Sequence, residues 1–400
     1  LREVIVLIKS TVSLLLTAAF VVLPSVCAGA ATENESPMGG LIEEQVENLN
    51  LGDVQGVLDS LNREVQGYMP AINAVDLVKG LVRGDVGLSP AEVLSGMGRY
   101  LFAQVLANIN LLAKLVVLSI VYAILCNIQD SFGNGTVSEL ARITCMLVLT
   151  AIAVQSFWAA LKIGSSTIDS MVVFMQVFLP TLLALLAVMG GITSMALLQP
   201  VLAVSIGFFS TVFKDFLLPV IFFSAILAIV NNISDKFHLS RLASLLKQGC
   251  VVLIGLVLTV FIGIMTIQGV TAATVDGVSI RTAKFAADNF VPIVGGFFSD
   301  AVDTIVGCSL LIKNAVGAFG LIALFTIIAF PVLKIISLVV IYKVCAAVIE
   351  PVAEGQLVRC LNEMAGSLLL LFATVASVAL MFFISVTIII GAGNAALMMR

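Results

Sequence analysis

Side chains able to do acid–base, nucleophilic or metal chemistry are few in this chain of 400 residues, and they do not cluster. His238 is the one histidine, so neither a Ser/His/Asp set nor a Cys/His dyad has a basis to build on. The seven cysteines, Cys27, Cys126, Cys145, Cys250, Cys308, Cys345 and Cys360, form no CxxC pair and offer no metal-ligand set of the usual spacing. The sequence has no HExxH and no glycine-rich phosphate cradle followed by lysine, which argues against metal-assisted and nucleotide hydrolysis. The expectation is a non-enzymatic chain with no catalytic residue, no metal and no cofactor.

What the sequence does carry is a set of helix-interrupting residues inside apolar runs. Pro180 follows Phe178-Leu179, Gly190-Gly191 comes ten residues later, and Pro219 follows Phe216-Leu217-Leu218. Further on, Pro292 precedes Gly295-Gly296, with Asp300 and Asp303 just beyond, and Pro331 follows Phe330. Interrupted helices leave backbone groups unpaired; lipid cannot satisfy these, so such breaks persist where protein buries them or where they line a wet cavity. Paired breaks mark the transport path in secondary carriers. These ten residues are therefore the transport-path candidates, and a plain kink in packed helices is the simpler reading of any one of them.

Composition sets the environment. Hydrophobic residues make up 60% of the chain and charged ones 11%, with a mean hydropathy of +1.17. A soluble domain carries about 25% charged residues. Continuous apolar runs reach the roughly 20 residues a helix needs to cross a bilayer, and they lack the alternation of barrel strands. The fold expected is all-α, a polytopic helical membrane protein with broken or re-entrant helices and an internal repeat, in contact with membrane lipid. A net charge of −4 without a basic, aromatic-rich patch gives no support to nucleic-acid binding.

In chain order, residues 1–30 read as a signal sequence: Arg2 and Lys9, an apolar core from Ser10 to Leu23, and the small-x-small pattern Ala28-Gly29-Ala30. An uncleaved anchor over Val4 to Leu23 is the rival reading. Residues 31–104 form an exported acidic helical segment, with eleven acidic residues against four basic. Within it Ser89-Pro90-Ala91-Glu92 is a helix start that should run on through Tyr100 into the first span. This segment is either a docking surface for an extracytoplasmic partner or a cap resting on the membrane domain. Residues 105–170 hold two transmembrane helices, Leu111 to Ile128 and Ile143 to Leu161. Residues 171–280 form a first membrane repeat, with runs at 171–189, 193–213, 216–230 and 250–271, and residues 281–400 a second.

The separation from Pro180 to Pro292 equals that from Pro219 to Pro331, and Phe178, Phe213 and Val220 recur as Phe290, Phe325 and Val332 at the same spacing. Arg281 to Asn314 is too polar to span in lipid and should form short or re-entrant helices shielded by the rest. Polar links are expected at Lys162 to Ser170 and at Lys214-Asp215, leaving no carboxylate at mid-membrane and so no proton relay. Lys236, Arg241 and Lys247 lie on an amphipathic segment from Ser234 to Gln248, the most basic loop, which places it in the cytoplasm and Thr274 to Asn314 outside.

Two blocks carry a family likeness. Ser234-Asp235-Lys236-Phe237-His238-Leu239-Ser240-Arg241 through Lys247, and Asn289-Phe290-Val291-Pro292 through Gly307-Cys308-Ser309-Leu310-Leu311-Ile312-Lys313-Asn314, resemble the stage III sporulation protein AE family of endospore-forming bacteria. The resemblance implies a multi-pass protein of the mother-cell membrane around the forespore, part of the channel, or feeding tube, that links the two cells. It implies as partners the other proteins of the same operon and, indirectly, the forespore channel protein. A stand-alone carrier for a small solute and a membrane scaffold for the channel are the alternatives.

Overall fold

A backbone in lipid must satisfy its own hydrogen bonds, and a chain this apolar does so by winding into helices. The computed structural model describes residues 73–83, 90–132, 136–233, 239–290, 295–352 and 355–398, with positions 52, 55, 56 and 59. Lys236, Pro292, the signal sequence and most of the acidic segment lie outside the described residues. Among the described residues the elements are α1 (Ala74–Val82), α2 (Pro90–Ala107), α3 (Ile109–Phe132), α4 (Thr136–Val188) and α5 (Ile192–Thr211). They continue as α6 (Leu218–Ile233), α7 (Ser240–Phe290), α8 (Gly295–Ile349) and α9 (Gly355–Met398). A π-helical turn, Val212–Leu217, joins α5 to α6 without a break.

Among the described residues, five stretches are long and apolar enough to cross a membrane: Ile143–Val188, Ile192–Asn231, Ser240–Asp276, Val306–Ile349 and Gly355–Asn394. The chain is an all-α, multi-pass membrane protein. Ala91–Ala107 and Ile109–Leu125 pass the same test together but are bent by 47°. The helix expected to run smoothly from Pro90 into the first span is thus interrupted at Asn108, whose side chain donates to the Gln104 carbonyl at 2.9 Å while its own carbonyl accepts from Leu111 N–H.

Three expectations change. The polar stretch from Lys162 to Ser170 is not a link: α4 runs through it, because Thr167 and Ser170 turn their hydroxyls back onto the carbonyls of Ile163 and Ser166. Lys214 and Asp215 likewise sit inside a continuous helix. Pro219 has no N–H to give, and the π-turn ahead of it, closed by Leu218 N–H on the Phe213 carbonyl, lets the helix absorb the proline instead of ending. Residues 281–290 are the end of α7 and 295–314 the start of α8, two helices of 51 and 55 residues, so the short helices expected there are the ends of long ones.

These changes preserve the sidedness of the basic segment. Merging four expected spans into two removes an even number of crossings, so residues 234–248 and 274–314 keep their relative sides. Gly190-Gly191 moves to the side opposite the basic segment.

α9 occupies the centre. Of its apolar window 89% is buried, against 28% for α7. It packs against α4, α6, α7 and α8, and small residues let the helices close in. Gly164 on α4 faces Leu371, Gly317 on α8 faces Ile390, and Gly320 lies under the ring of Phe178, itself stacked on Phe174 with centroids 5.1 Å apart. The N-terminal helices pack on the outside of α8, where Tyr100 meets Phe330 edge-on at 4.8 Å.

The two ends of the bundle differ. At one, Lys247 Nζ reaches the Glu363 carbonyl at 3.5 Å and Lys343 Nζ donates to Asn362 Oδ1 at 2.9 Å, between the α6–α7 and α8–α9 links. Arg241 is exposed there. Nearby, Ser156 gives its proton to the Ala153 carbonyl and so accepts from the buried Tyr342 hydroxyl. The opposite end holds the diglycine turn. Exposed positions 192 and 352 should therefore lie on opposite sides of the membrane. In a cysteine-free background, Ile192→Cys and Val352→Cys are expected to react with an impermeant maleimide from opposite faces; labelling from one face would restore the four-span count.

Candidate functional site

The diglycine turn separates α4 from α5, and it is built from local chemistry. Gly190 has φ of 92°, a left-handed backbone that favours glycine. Its N–H donates to the Ala187 carbonyl at 2.9 Å, and Gly191 N–H reaches back to the Leu186 carbonyl at 3.0 Å, which closes the end of α4 as a Schellman motif. Gly191 is also required, since a Cβ there would stand 2.9 Å from the Leu186 carbonyl oxygen.

The same turn leaves the start of α5 without a local cap. Gly191 precedes it with no side chain to accept from the free N–H groups of the first turn. Asp276, 1% exposed near the end of the α7 span, supplies the acceptors from 83 and 82 residues away: its Oδ1 accepts from Thr193 N–H at 3.1 Å and its Oδ2 from Ser194 N–H at 2.9 Å. A carboxylate here meets both the unpaired donors and the positive end of the helix dipole.

A second polar group lies at the same end. Lys313 on α8 is fully buried, and its Nζ donates to the Ile390 carbonyl at 2.8 Å and to Asn394 Oδ1 at 3.4 Å. Gly393 makes room for the ammonium, because a Cβ there would collide with it, and Leu186 from the last turn of α4 lies 3.2 Å from the same point. Asn314 Oδ1 and Ser194 Oγ are buried without a hydrogen-bond partner among the described residues. This end of the bundle therefore buries one carboxylate, one ammonium and two unsatisfied polar atoms around the junction of α4, α5, α7, α8 and α9.

Of the sequence-predicted positions, Gly190 and Gly191 are at this site. Pro180 is an exposed residue inside α4, Pro219 follows the π-turn, and Pro331 lies in mid-α8 beside the Tyr100–Phe330 contact, three separate places. Gly295 and Gly296 open α8, and the backbone of Asp300 and Asp303 lies in its following turns. Sequence reasoning missed Asp276, Lys313 as a buried tie, and Gly393-Asn394. One signal was available: a diglycine directly before an apolar helix, with no Ser, Thr, Asp or Asn at the cap, leaves orphan donors that need an acceptor from elsewhere. No group of three or more His, Cys, Asp or Glu able to hold a metal is present among the described residues.

The model of the family described as stage III sporulation protein AE matches residues 72–393, from ahead of α1 to the last turns of α9. The chain belongs to the stage III sporulation protein AE family. Its role is accordingly in sporulation. A curated stage III sporulation protein AE of Bacillus subtilis is 38% identical over 360 residues, covering 90% of each chain. No solved structure matches.

In this family member the two buried polar groups should behave differently on substitution. Asp276→Ala leaves two backbone donors unpaired and is expected to cost about 2 kcal/mol of stability, with Asp276→Asn losing about half of that; thermal melts in detergent measure both. Lys313→Met, which replaces a buried ammonium by an apolar isostere, should stay within about 1 kcal/mol of the parent. Gly393→Val, which drives the ammonium from its acceptors, should cost more than Lys313→Met, and equal melting of these two would show that the ammonium contact carries no structure.

Proposed function

We propose that this chain is a non-enzymatic membrane subunit of the sporulation channel that links mother cell and forespore, seated in the mother-cell membrane around the forespore. Membership of the stage III sporulation protein AE family over the whole helical core carries this reading. The acidic segment ahead of α2 then lies outside the cytoplasm, between the two membranes, while Tyr100 of α2 packs on Phe330 in mid-α8, and the basic end with Arg241, Lys247 and Lys343 faces the cytoplasm, as the positive-inside rule favours. The partners are the other proteins of the same operon and, indirectly, the forespore channel protein. No cofactor is needed, and energy comes from a separate subunit.

The buried centre bears on where a path runs. α9 fills the middle of the bundle with side chains such as Leu371, Val375, Phe382 and Val386, all fully buried. A route for solute is then better built between this chain and its partners than through one copy of it, which favours the subunit reading over a stand-alone carrier. The test is reconstitution of the full chain in vesicles, alone and with its operon partners. Flux of small solutes is expected only with partners; saturable flux by the chain alone would establish the carrier, and an assembled but flux-free complex would favour the scaffold.

A further inference from the structure

Cations from three different helices converge at the basic end of the bundle. Lys343 on α8 donates to Asn362 Oδ1 of α9 at 2.9 Å, and Lys247 on α7 reaches the carbonyl of Glu363, the next residue of α9, at 3.5 Å. These contacts set the three helices level with one another. Arg359 stands one turn earlier on α9, three residues from Asn362 and four from Glu363, and so between them on the helix surface. α7 and α8 both pack on α9, which makes the place a cleft with Lys247 on one wall, Lys343 on the other and Arg359 on the floor. Arg359 and Lys343 are exposed and Lys247 is half-buried, so the cleft is open.

The fold leaves this cleft short of negative charge. Glu363 is the carboxylate within it, and both Lys247 and Arg359 act on it electrostatically. Lys343 has a neutral amide as its partner. Three cations against one carboxylate leave an excess of positive charge. Arg241 on α7 and Glu350 at the end of α8 lie six and seven residues closer to the links than Lys247 and Lys343, about 9 and 10 Å along their helices, and cancel each other. Asp235 and Lys236 of the α6–α7 link also cancel, and counting Glu354 of the α8–α9 link still leaves the excess positive.

The donors define the guest. Each ammonium carries three N–H groups and the guanidinium five, more than one carbonyl, one amide oxygen and one carboxylate take up. A phosphate group supplies negative charge and several acceptor oxygens in one compact unit, which arginine holds through its planar fork and lysine as a point charge. Basic pockets between membrane helices receive lipid head groups in this way. We infer that the cleft between α7 and α8, over Arg359, binds an anionic phosphate group, carried by a lipid head group or by a soluble phosphate.

The full chain, purified in an uncharged detergent, is titrated by calorimetry with short-chain phosphatidylglycerol and, separately, with inorganic phosphate; short-chain phosphatidylcholine is the zwitterionic control. Saturable binding of phosphatidylglycerol alone assigns the lipid source, and binding of inorganic phosphate, with or without the lipid, assigns the soluble one. Lys343→Gln and Arg359→Gln should each weaken the binding about tenfold, about 1.4 kcal/mol, and Lys343→Arg should retain it. Arg241→Gln removes the same charge outside the cleft and should leave binding unchanged. All three side chains are exposed, so melting should stay that of the parent. Failure of both titrants to bind, equal binding of phosphatidylcholine, or equal weakening by Arg241→Gln and Lys343→Gln, as general attraction to a basic surface would give, would each overturn the inference.

Discussion

The bundle depends on how it satisfies backbone left open inside an apolar molecule. α4 and α5 reverse direction at Gly190-Gly191, and a reversal of this kind exposes the last carbonyls of one helix and the first N–H groups of the next. The carbonyls are closed locally by the two glycine amides. The amides of Thr193 and Ser194 are closed by Asp276, which ties α5 to α7 across the chain. Asp276 is the side-chain acceptor that these two amides have, and without it both would be left unpaired in this arrangement. The buried Lys313 ammonium follows the same rule in reverse: a charge is held inside because α9 offers it a carbonyl, an amide oxygen and the space left by Gly393.

The same rule explains which breaks the sequence made legible. The diglycine was readable because both residues are needed at that turn, one for its left-handed backbone and one for its lack of Cβ. The links expected at 162–170 and 214–215 were not real because polarity alone does not end a helix. Serine and threonine there bond back to the preceding turn, and Asp169 and Lys214 neutralise each other between neighbouring helices. Pro219 in an apolar run signals a break, but a π-turn accommodates it. Arg281 to Asn314 was read as shielded short helices since its charges could not face lipid; long helices solve the same problem, in Lys313 by burying it among partners. Asp276 could not be found from local pattern, because its acceptors serve amides 83 and 82 residues away.

Function follows the same division. Family membership gives sporulation. α9 fills the centre, and the two ends of the bundle are chemically distinct: lysines and arginine near the α6–α7 and α8–α9 links, and a buried carboxylate and ammonium at the diglycine end. The candidate spans reach 46 residues, about 70 Å of helix, against a hydrocarbon core of about 30 Å. The helices must therefore tilt or project beyond the bilayer, which provides surface for neighbours on either side.

The central claim is that Asp276 closes the start of α5, and amide hydrogen exchange on the reconstituted full chain tests it most directly. Thr193 and Ser194 amides are expected to exchange as slowly as those in the interior of α5, and to lose that protection selectively in Asp276→Ala while the Gly190 and Gly191 amides keep theirs. Rapid exchange at Thr193 and Ser194 in the parent chain, or protection unchanged by the substitution, would contradict the account.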